Sequence, residues 1–179
     1  MDALALTAQR RRAVWLDPSA GDFETFRQTV ETQTLAADWP LAHDIQKRIP
    51  IYDGSFVRNA AQDPTARLDL LSEWNAVFED GPGIIVIKGG MADLDIVDQA
   101  SALFETIIEK EKAEGSSAGD HFAKPGANDR VWNAAQKHCL ADPENFVSYY
   151  ATDAVAMASA AWLGRGYQLT AQVNRVNPG

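Results

Sequence analysis

The chain has 179 residues, 46% of them hydrophobic and 23% charged, which is ordinary for a globular protein large enough to bury a core. Its 25 acidic residues outnumber 16 basic ones, and the net charge of -9 argues against general nucleic-acid binding, which relies on clustered positive charge. The single cysteine, Cys139, excludes an internal disulfide. No apolar run approaches the roughly 18 residues of a membrane span, and no N-terminal stretch resembles a signal peptide. The sequence therefore predicts a cytoplasmic protein that does not enter a membrane.

The first half of the chain predicts mostly helices. Residues 1–20 carry few structural signals and are expected to form a flexible arm. Asp22 predicts a helix over about residues 22–35, and Asp63-Pro64 predicts the start of another, because Asp favours the N-cap and Pro the first helical position. Residues 42–48 are expected to form a short helix. The four consecutive aliphatic residues within 83–89, bounded by glycines, are typical of a buried strand.

The second half continues the helical pattern. Apolar residues at helical spacing after Asp93 predict a helix to Gly115. Asn128 or Asp129 is expected to cap a further helix that ends near Leu140. An Asp-Pro start then predicts a helix over about residues 143–151, and a last one follows over about 152–163. Cys139 is expected to be a small packed residue of its helix.

Residues 167–177 form a predicted terminal strand. Apolar and polar residues alternate along it, which gives one apolar and one polar side: Leu169, Ala171 and Val173 against Thr170, Gln172 and Asn174. The strand runs into Pro178-Gly179 without a predicted partner, so it resembles the first strand of an unfinished sheet. The whole chain, 1–179, is expected to be a single domain that is mainly helical over residues 21–166.

A cluster of polar and aromatic residues lies within residues 119–133, before the helices predicted over about residues 143–151 and 152–163. Its candidate binding residues are Lys124, Asn128, Arg130 and Trp132. Loops on a rigid scaffold commonly carry binding residues, and Lys124 and Arg130 can attract a carboxylate. The alternative is that Asn128 or Asp129 caps a helix, Trp132 packs and the charges are solvated. Composition leaves both interpretations open, and the polar side of the terminal strand can likewise face either a ligand or solvent.

Motifs for metal binding or nucleophilic catalysis are missing from the sequence. The three histidines, His43, His121 and His138, are not followed by the x-Asp or x-Glu step of iron oxygenases. There is also no His-Glu-x-x-His motif, no phosphate-binding glycine loop and no nucleophile elbow. The sequence predicts no metal ligand and no catalytic residue among these 179 positions.

Two segments, 119–133 and 167–179, resemble the phytanoyl-CoA dioxygenase-like family of Fe(II)- and 2-oxoglutarate-dependent oxygenases. In that family a strand with a polar-x-Asn step and a Pro-Gly turn is followed shortly by the His-x-Asp pair that binds iron. The resemblance implies an α+β fold, in which a helical layer precedes the opening strands of a double-stranded β-helix (a jelly roll), with residues 167–177 as the first barrel-type strand. It also implies that Gln172 and Asn174, and less directly Thr170, line the pocket for 2-oxoglutarate and substrate.

The same resemblance implies Fe(II) and 2-oxoglutarate as cofactor and cosubstrate, and hydroxylation of a small organic substrate. Because no His-x-Asp pair occurs here, the chain is expected to be the N-terminal portion of such an enzyme and inactive alone, with neither group bound by this chain alone. In that interpretation Lys124, Asn128, Arg130 and Trp132 belong to a pocket wall. The alternative is a non-catalytic helical domain that binds an anionic small molecule or a partner protein.

Overall fold

The computed structural model describes residues 21–115 and 128–176, which form seven α-helices and five short strands. This mixture agrees with the expected α+β class. Contacts group the chain into two compact units, Met1–Gln33 and Thr34–Gly179. The arm predicted at residues 1–20 lies outside the described residues. No described helix combines the length and the apolar character that a membrane crossing requires.

Helix α1, Phe23–Glu31, lies in the first unit, of which the structure describes residues 21–33. It begins where the sequence predicts, because the Asp22 carboxylate accepts a hydrogen bond of 2.9 Å from the Thr25 backbone N–H. The helix ends four residues before the expected position, 35. Its apolar side chains Phe23, Phe26 and Val30 are all exposed.

A three-stranded sheet opens the second unit. Its strands are β1 (Asp44–Gln46), β2 (Ile49–Asp53) and β3 (Val86–Lys88), with β2 in the centre, antiparallel to β1 and parallel to β3. The helix predicted at residues 42–48 is therefore wrong. The chain there makes a tight hairpin in which Lys47 and Arg48 take φ values of 51° and 67°. Tight hairpins require positive φ, usually supplied by Asn-Gly, so this turn carries no familiar sequence signal.

Two helices connect the parallel strands β2 and β3. Helix α2 (Gly54–Gln62) starts at Asp53, and helix α3 (Pro64–Glu79) starts at Asp63, whose carboxylate accepts from two backbone N–H groups as the sequence predicts. The strand expected at residues 83–89 shrinks to β3. It lies at the sheet edge and Val86 is exposed, so the prediction of a buried strand is wrong.

The first core lies where these helices meet β2 and helix α7, Asp153–Leu163. Tyr52 packs edge-on against Trp74 at a centroid distance of 5.4 Å, and its hydroxyl donates to the Glu73 carboxylate at 2.8 Å. The buried residues of this core are Tyr52, Val57, Ala60, Leu70, Trp74, Met157 and Ala161.

The second core is built by the later elements of the same unit. These are α4 (Asp95–Ala113), β4 (Asn128–Val131), α5 (Ala134–Ala141), α6 (Pro143–Tyr150) and β5 (Val173–Val176). Its buried apolar residues come from α4, β4 and α5 and are Ala100, Phe104, Ile108, Val131 and Ala134. The side chains of residues 171 and 173, which point inward, pack against them. Helices α4, α6 and α7 start near the predicted positions, α6 with the Asp142 cap.

Strands β4 and β5 correct three expectations. Asn128 and Asp129 do not cap a helix, because they open β4, and the helix begins only after Asn133. The terminal strand is not unpaired, since β5 runs antiparallel to β4. It is also shorter than the predicted strand over residues 167–177, because residues 167–172 lie outside the ladder.

Candidate functional site

The β4–β5 ladder brings together residues that lie more than forty positions apart in the chain. Arg130 faces Asn174 and Val131 faces Val173 across the two strands. Successive side chains of a strand point to opposite sides, so the ladder has an inner side against α4 and an outer side. Val131 and Val173 lie on the inner side, which packs in the second core.

The outer side joins three of the predicted binding residues, Arg130, Trp132 and Asn174. The Nε–H of Arg130 donates a hydrogen bond of 2.7 Å to Asn174 Oδ1. The Arg130 guanidinium also lies over the Trp132 ring, 4.9 Å from its centroid. A planar cation on an indole face, with an amide beside it, suits a ligand that carries a carboxylate. We call Arg130, Trp132 and Asn174 the outer cluster.

The remaining predicted residues are distributed differently. Asn128 stands half-buried at the start of β4, opposite Val176. Gln172 and Thr170 are exposed and precede β5, so they lie outside the ladder. Lys124 lies outside the described residues. The structure thus brings together Arg130, Trp132 and Asn174 and leaves Gln172 at the margin.

Asp129 is a buried site residue that the sequence suggested only as a helix cap. Its carboxylate receives Lys112 Nζ at 2.7 Å on one oxygen and Arg175 Nη2 at 2.5 Å on the other, and Arg175 Nε donates at 3.0 Å. The hydrogen bond from Lys112 lowers the pKa of Asp129 most; burial opposes this shift and Arg175 reinforces it. We call Lys112, Asp129 and Arg175 the Asp129 triad.

The signal for this triad is present in the sequence but depends on pairing. Arg175 falls in the same phase as Ala171 and Val173, the side predicted to be apolar, so it is a charged residue directed inward. An inward cation needs a buried partner. Only the pairing of β4 with β5, which the sequence does not encode locally, identifies that partner as Asp129.

His138 is a second buried polar residue. Its Nε2 lies 2.8 Å from Asn145 Oδ1, and the Asn145 amide donates to the Ile96 carbonyl at 3.1 Å. Because that amide nitrogen donates, Asn145 Oδ1 is the acceptor and His138 Nε2 carries the proton. Four rings surround the imidazole at centroid distances of 5.1 to 5.8 Å: Phe104, Phe146, Tyr149 and Tyr150. This surrounding fits a structural role in the core.

The described residues do not provide an iron site. No group of three or more His, Cys, Asp or Glu side chains within residues 21–115 and 128–176 could hold a metal ion. His43 is exposed and His138 is enclosed by rings, while His121 lies outside the described residues. Cys139, which the sequence predicts to be packed, is exposed instead. The described donor set therefore does not fit Fe(II).

A shallow apolar groove of about 270 Å³ lies between α3 and α7. Phe78, Trp162 and Leu163 form most of its wall, with Ala158 and Ser159 between them. Phe78 meets Trp162 edge-on at a centroid distance of 6.2 Å. None of the predicted binding residues lines this groove.

Comparisons with known proteins identify no relative. No family model matches the chain, no curated protein matches it, and no solved structure matches it.

Proposed function

We propose that the chain is the pocket-forming part of an Fe(II)- and 2-oxoglutarate-dependent dioxygenase that hydroxylates a small organic substrate. The observation that carries this proposal is the pairing of β4 with β5. Each strand lies within one of the two segments that resemble the phytanoyl-CoA dioxygenase-like family. Two independent local resemblances that meet in one ladder support a common site better than either does alone.

In this proposal β4 and β5 are opening strands of a double-stranded β-helix, and the helices before them form its helical layer. The outer cluster is the part of the pocket wall that recognises a carboxylate. Arg130 supplies positive charge, Trp132 a flat apolar surface, and Asn174 an amide whose oxygen is already occupied by Arg130. That hydrogen bond leaves the Asn174 amide N–H groups to donate to a ligand.

The oxidation step is not assigned to residues of this chain. Iron would supply oxygen activation when bound, but the described residues do not fit it. The sequence contains no His-x-Asp pair either. The proposed role of these residues is to bind and orient a carboxylate-bearing ligand such as 2-oxoglutarate, which revises the expectation that this chain alone does not bind it.

Two measurements test the proposal. The chain, incubated with Fe(II), 2-oxoglutarate and ascorbate, should form no succinate, because its sequence contains no His-x-Asp pair. The coding sequence downstream of codon 179 should contain a His-x-Asp motif within a few tens of codons. Robust succinate formation by the 179-residue chain, or a downstream frame without that motif, contradicts the proposal.

A second candidate is a non-catalytic domain that binds an anionic small molecule. The two separate buried cores favour it, since they suggest that residues 34–176 can fold without further elements. Both candidates predict carboxylate binding at the outer cluster. They differ in the downstream coding sequence, because only the oxygenase requires the iron motif.

A further inference from the structure

The β4–β5 ladder is short, and its two sides carry different polar pairs. On the inner side Asp129 faces Arg175, and on the outer side Arg130 faces Asn174. On each strand, two consecutive residues therefore belong to different pairs, one on the inner side and one on the outer side. If β5 slipped by one residue along β4, Arg175 would turn to the outer side and both pairs would be separated.

Little else in the ladder specifies its alignment. Within the described residues, four residue pairs face each other, and a two-stranded ladder of that length is barely stable without outside support. The apolar contribution to alignment comes from the single pair Val131 and Val173. Polar contacts must therefore select the alignment to a large extent.

The Asp129 triad has the geometry for that selection. Its carboxylate side chain is 4% exposed and binds one cation from α4 and one from β5, each on a different oxygen. Lys112 ties β4 to the helix, while Arg175 ties β5 to β4. A displaced alignment would leave a buried carboxylate without one of its cations, which is strongly unfavourable.

We propose that Asp129 is a positioning residue: with Lys112 and Arg175 it sets the alignment of β4 and β5, and so places Arg130 beside Asn174. The triad does not touch a ligand in this account. It acts from the opposite side of the ladder and determines whether the outer cluster is assembled. The ion pairs thus determine the alignment of the two strands as well as their stability. This inference rests on the proposed function only for the identity of the ligand that the outer cluster binds.

Disulfide trapping tests the alignment directly. In a Cys139→Ser background, Asn128→Cys and Val176→Cys introduce thiols at positions that face each other. Facing residues of an antiparallel pair have Cα atoms about 4.5 to 5.5 Å apart, which a disulfide can bridge, and displaced ones are too distant. When Asp129→Asn or Arg175→Gln is added to this double-cysteine variant, the rate of disulfide formation should fall about tenfold, which is the effect expected for coupled contacts. Arg175→Lys, which retains the charge, should restore most of the rate.

A matched control separates alignment from stability. Val57→Ala removes buried apolar volume in the first core, which contains neither strand of the ladder. It should lower the melting temperature and leave the trapping rate unchanged. Equal trapping rates with and without the triad, or an equal loss in Val57→Ala, would overturn the inference. If Asp129→Asn does not fold, Lys112→Gln and Arg175→Gln singly replace it, since both side chains are partly exposed.

Titration with 2-oxoglutarate tests the proposed ligand independently of the alignment of the strands. Under the proposed function, the triad variants should bind it about tenfold more weakly than the unchanged chain, in line with their trapping rates. If the unchanged chain does not bind it but the trapping rates differ as expected, the proposed ligand is wrong and the alignment inference stands. Undiminished binding in variants that trap slowly would show that the outer cluster does not depend on the triad.

Discussion

Arg130 and Asn174 face each other across β4 and β5, and the Nε–H of Arg130 donates a hydrogen bond of 2.7 Å to Asn174 Oδ1. Arg130→Lys removes this planar donor and its stacking on Trp132, while it retains a positive charge. We expect carboxylate binding to weaken by roughly tenfold, because a hydrogen bond to a charged group contributes about 1.5 kcal/mol or more. Calorimetric titration with 2-oxoglutarate measures the change.

Asn174→Ala should weaken binding in the same direction, since it removes the amide that holds Arg130 and donates to the ligand. Gln168→Ala is the matched control, because Gln168 is exposed and precedes the ladder. Neither partner of the pair is deeply buried, so thermal stability should change by less than about 1 kcal/mol. Unchanged affinity in both Arg130→Lys and Asn174→Ala would exclude the outer cluster as the binding site.

The sequence predicts the helices better than the strands, and the reason lies in where the determining contacts are. Asp22, Asp63 and Asp142 cap their helices through backbone groups two or three residues away. Such signals are complete within a few residues. The hairpin at Lys47-Arg48 carries no glycine or asparagine, and the sequence-based expectation of a helix there was therefore wrong.

The candidate site was only partly predictable, because its residues can be recognised locally but their contacts form between distant segments. Composition identifies Arg130, Trp132 and Asn174 as polar and aromatic candidates, but their proximity depends on pairing between segments 44 residues apart. The residues Asn128 to Val131 include no aliphatic pattern that distinguishes a strand from a helix start. The burial and ion pairs of Asp129 could not be predicted from the sequence, because its partners come from α4 and β5, which only the folded chain brings to it.

Asp129 should make the chain sensitive to acid. The pKa of its carboxyl is lowered in the folded state, chiefly by Lys112. A lowered pKa contributes stability that is present above the unfolded value of about 3.9 and is lost as pH falls through the folded value. The free energy of unfolding should therefore decrease as the pH falls below about 4, and urea denaturation at several pH values measures this decrease.

Asp129→Asn should reduce that dependence, because the amide does not ionise. The caps Asp22 and Asp53 also have lowered pKa values, so some acid sensitivity should remain. Asp69→Asn, on an exposed part of α3, is the control for the loss of one surface charge. A pH dependence identical in the unchanged chain and in Asp129→Asn would contradict the assignment of the triad.

The hairpin turn offers a gain in stability. Lys47 and Arg48 both hold positive φ, which costs non-glycine residues about 1 kcal/mol each. Lys47→Asn with Arg48→Gly gives the turn the residues that this geometry favours. We expect the free energy of unfolding to rise by about 1 kcal/mol and the melting temperature by about 3 °C. Lys47→Ala with Arg48→Ala removes the same two charges without relieving φ and should give no gain; an equal gain in both variants would attribute the effect to charge.

His138 provides the most demanding test of the second core. His138→Ala removes a fully buried ring from among four aromatic side chains and leaves Asn145 Oδ1 without its donor. A cavity and an unsatisfied buried acceptor each destabilise, so the free energy of unfolding should fall by about 3 kcal/mol or more. The adjacent Cys139→Ser is the control, because Cys139 is exposed and the change should cost less than about 0.5 kcal/mol. Denaturant titration of both variants decides the matter: comparable losses would mean that His138 is not held in the enclosed position described here, since the two residues differ chiefly in burial.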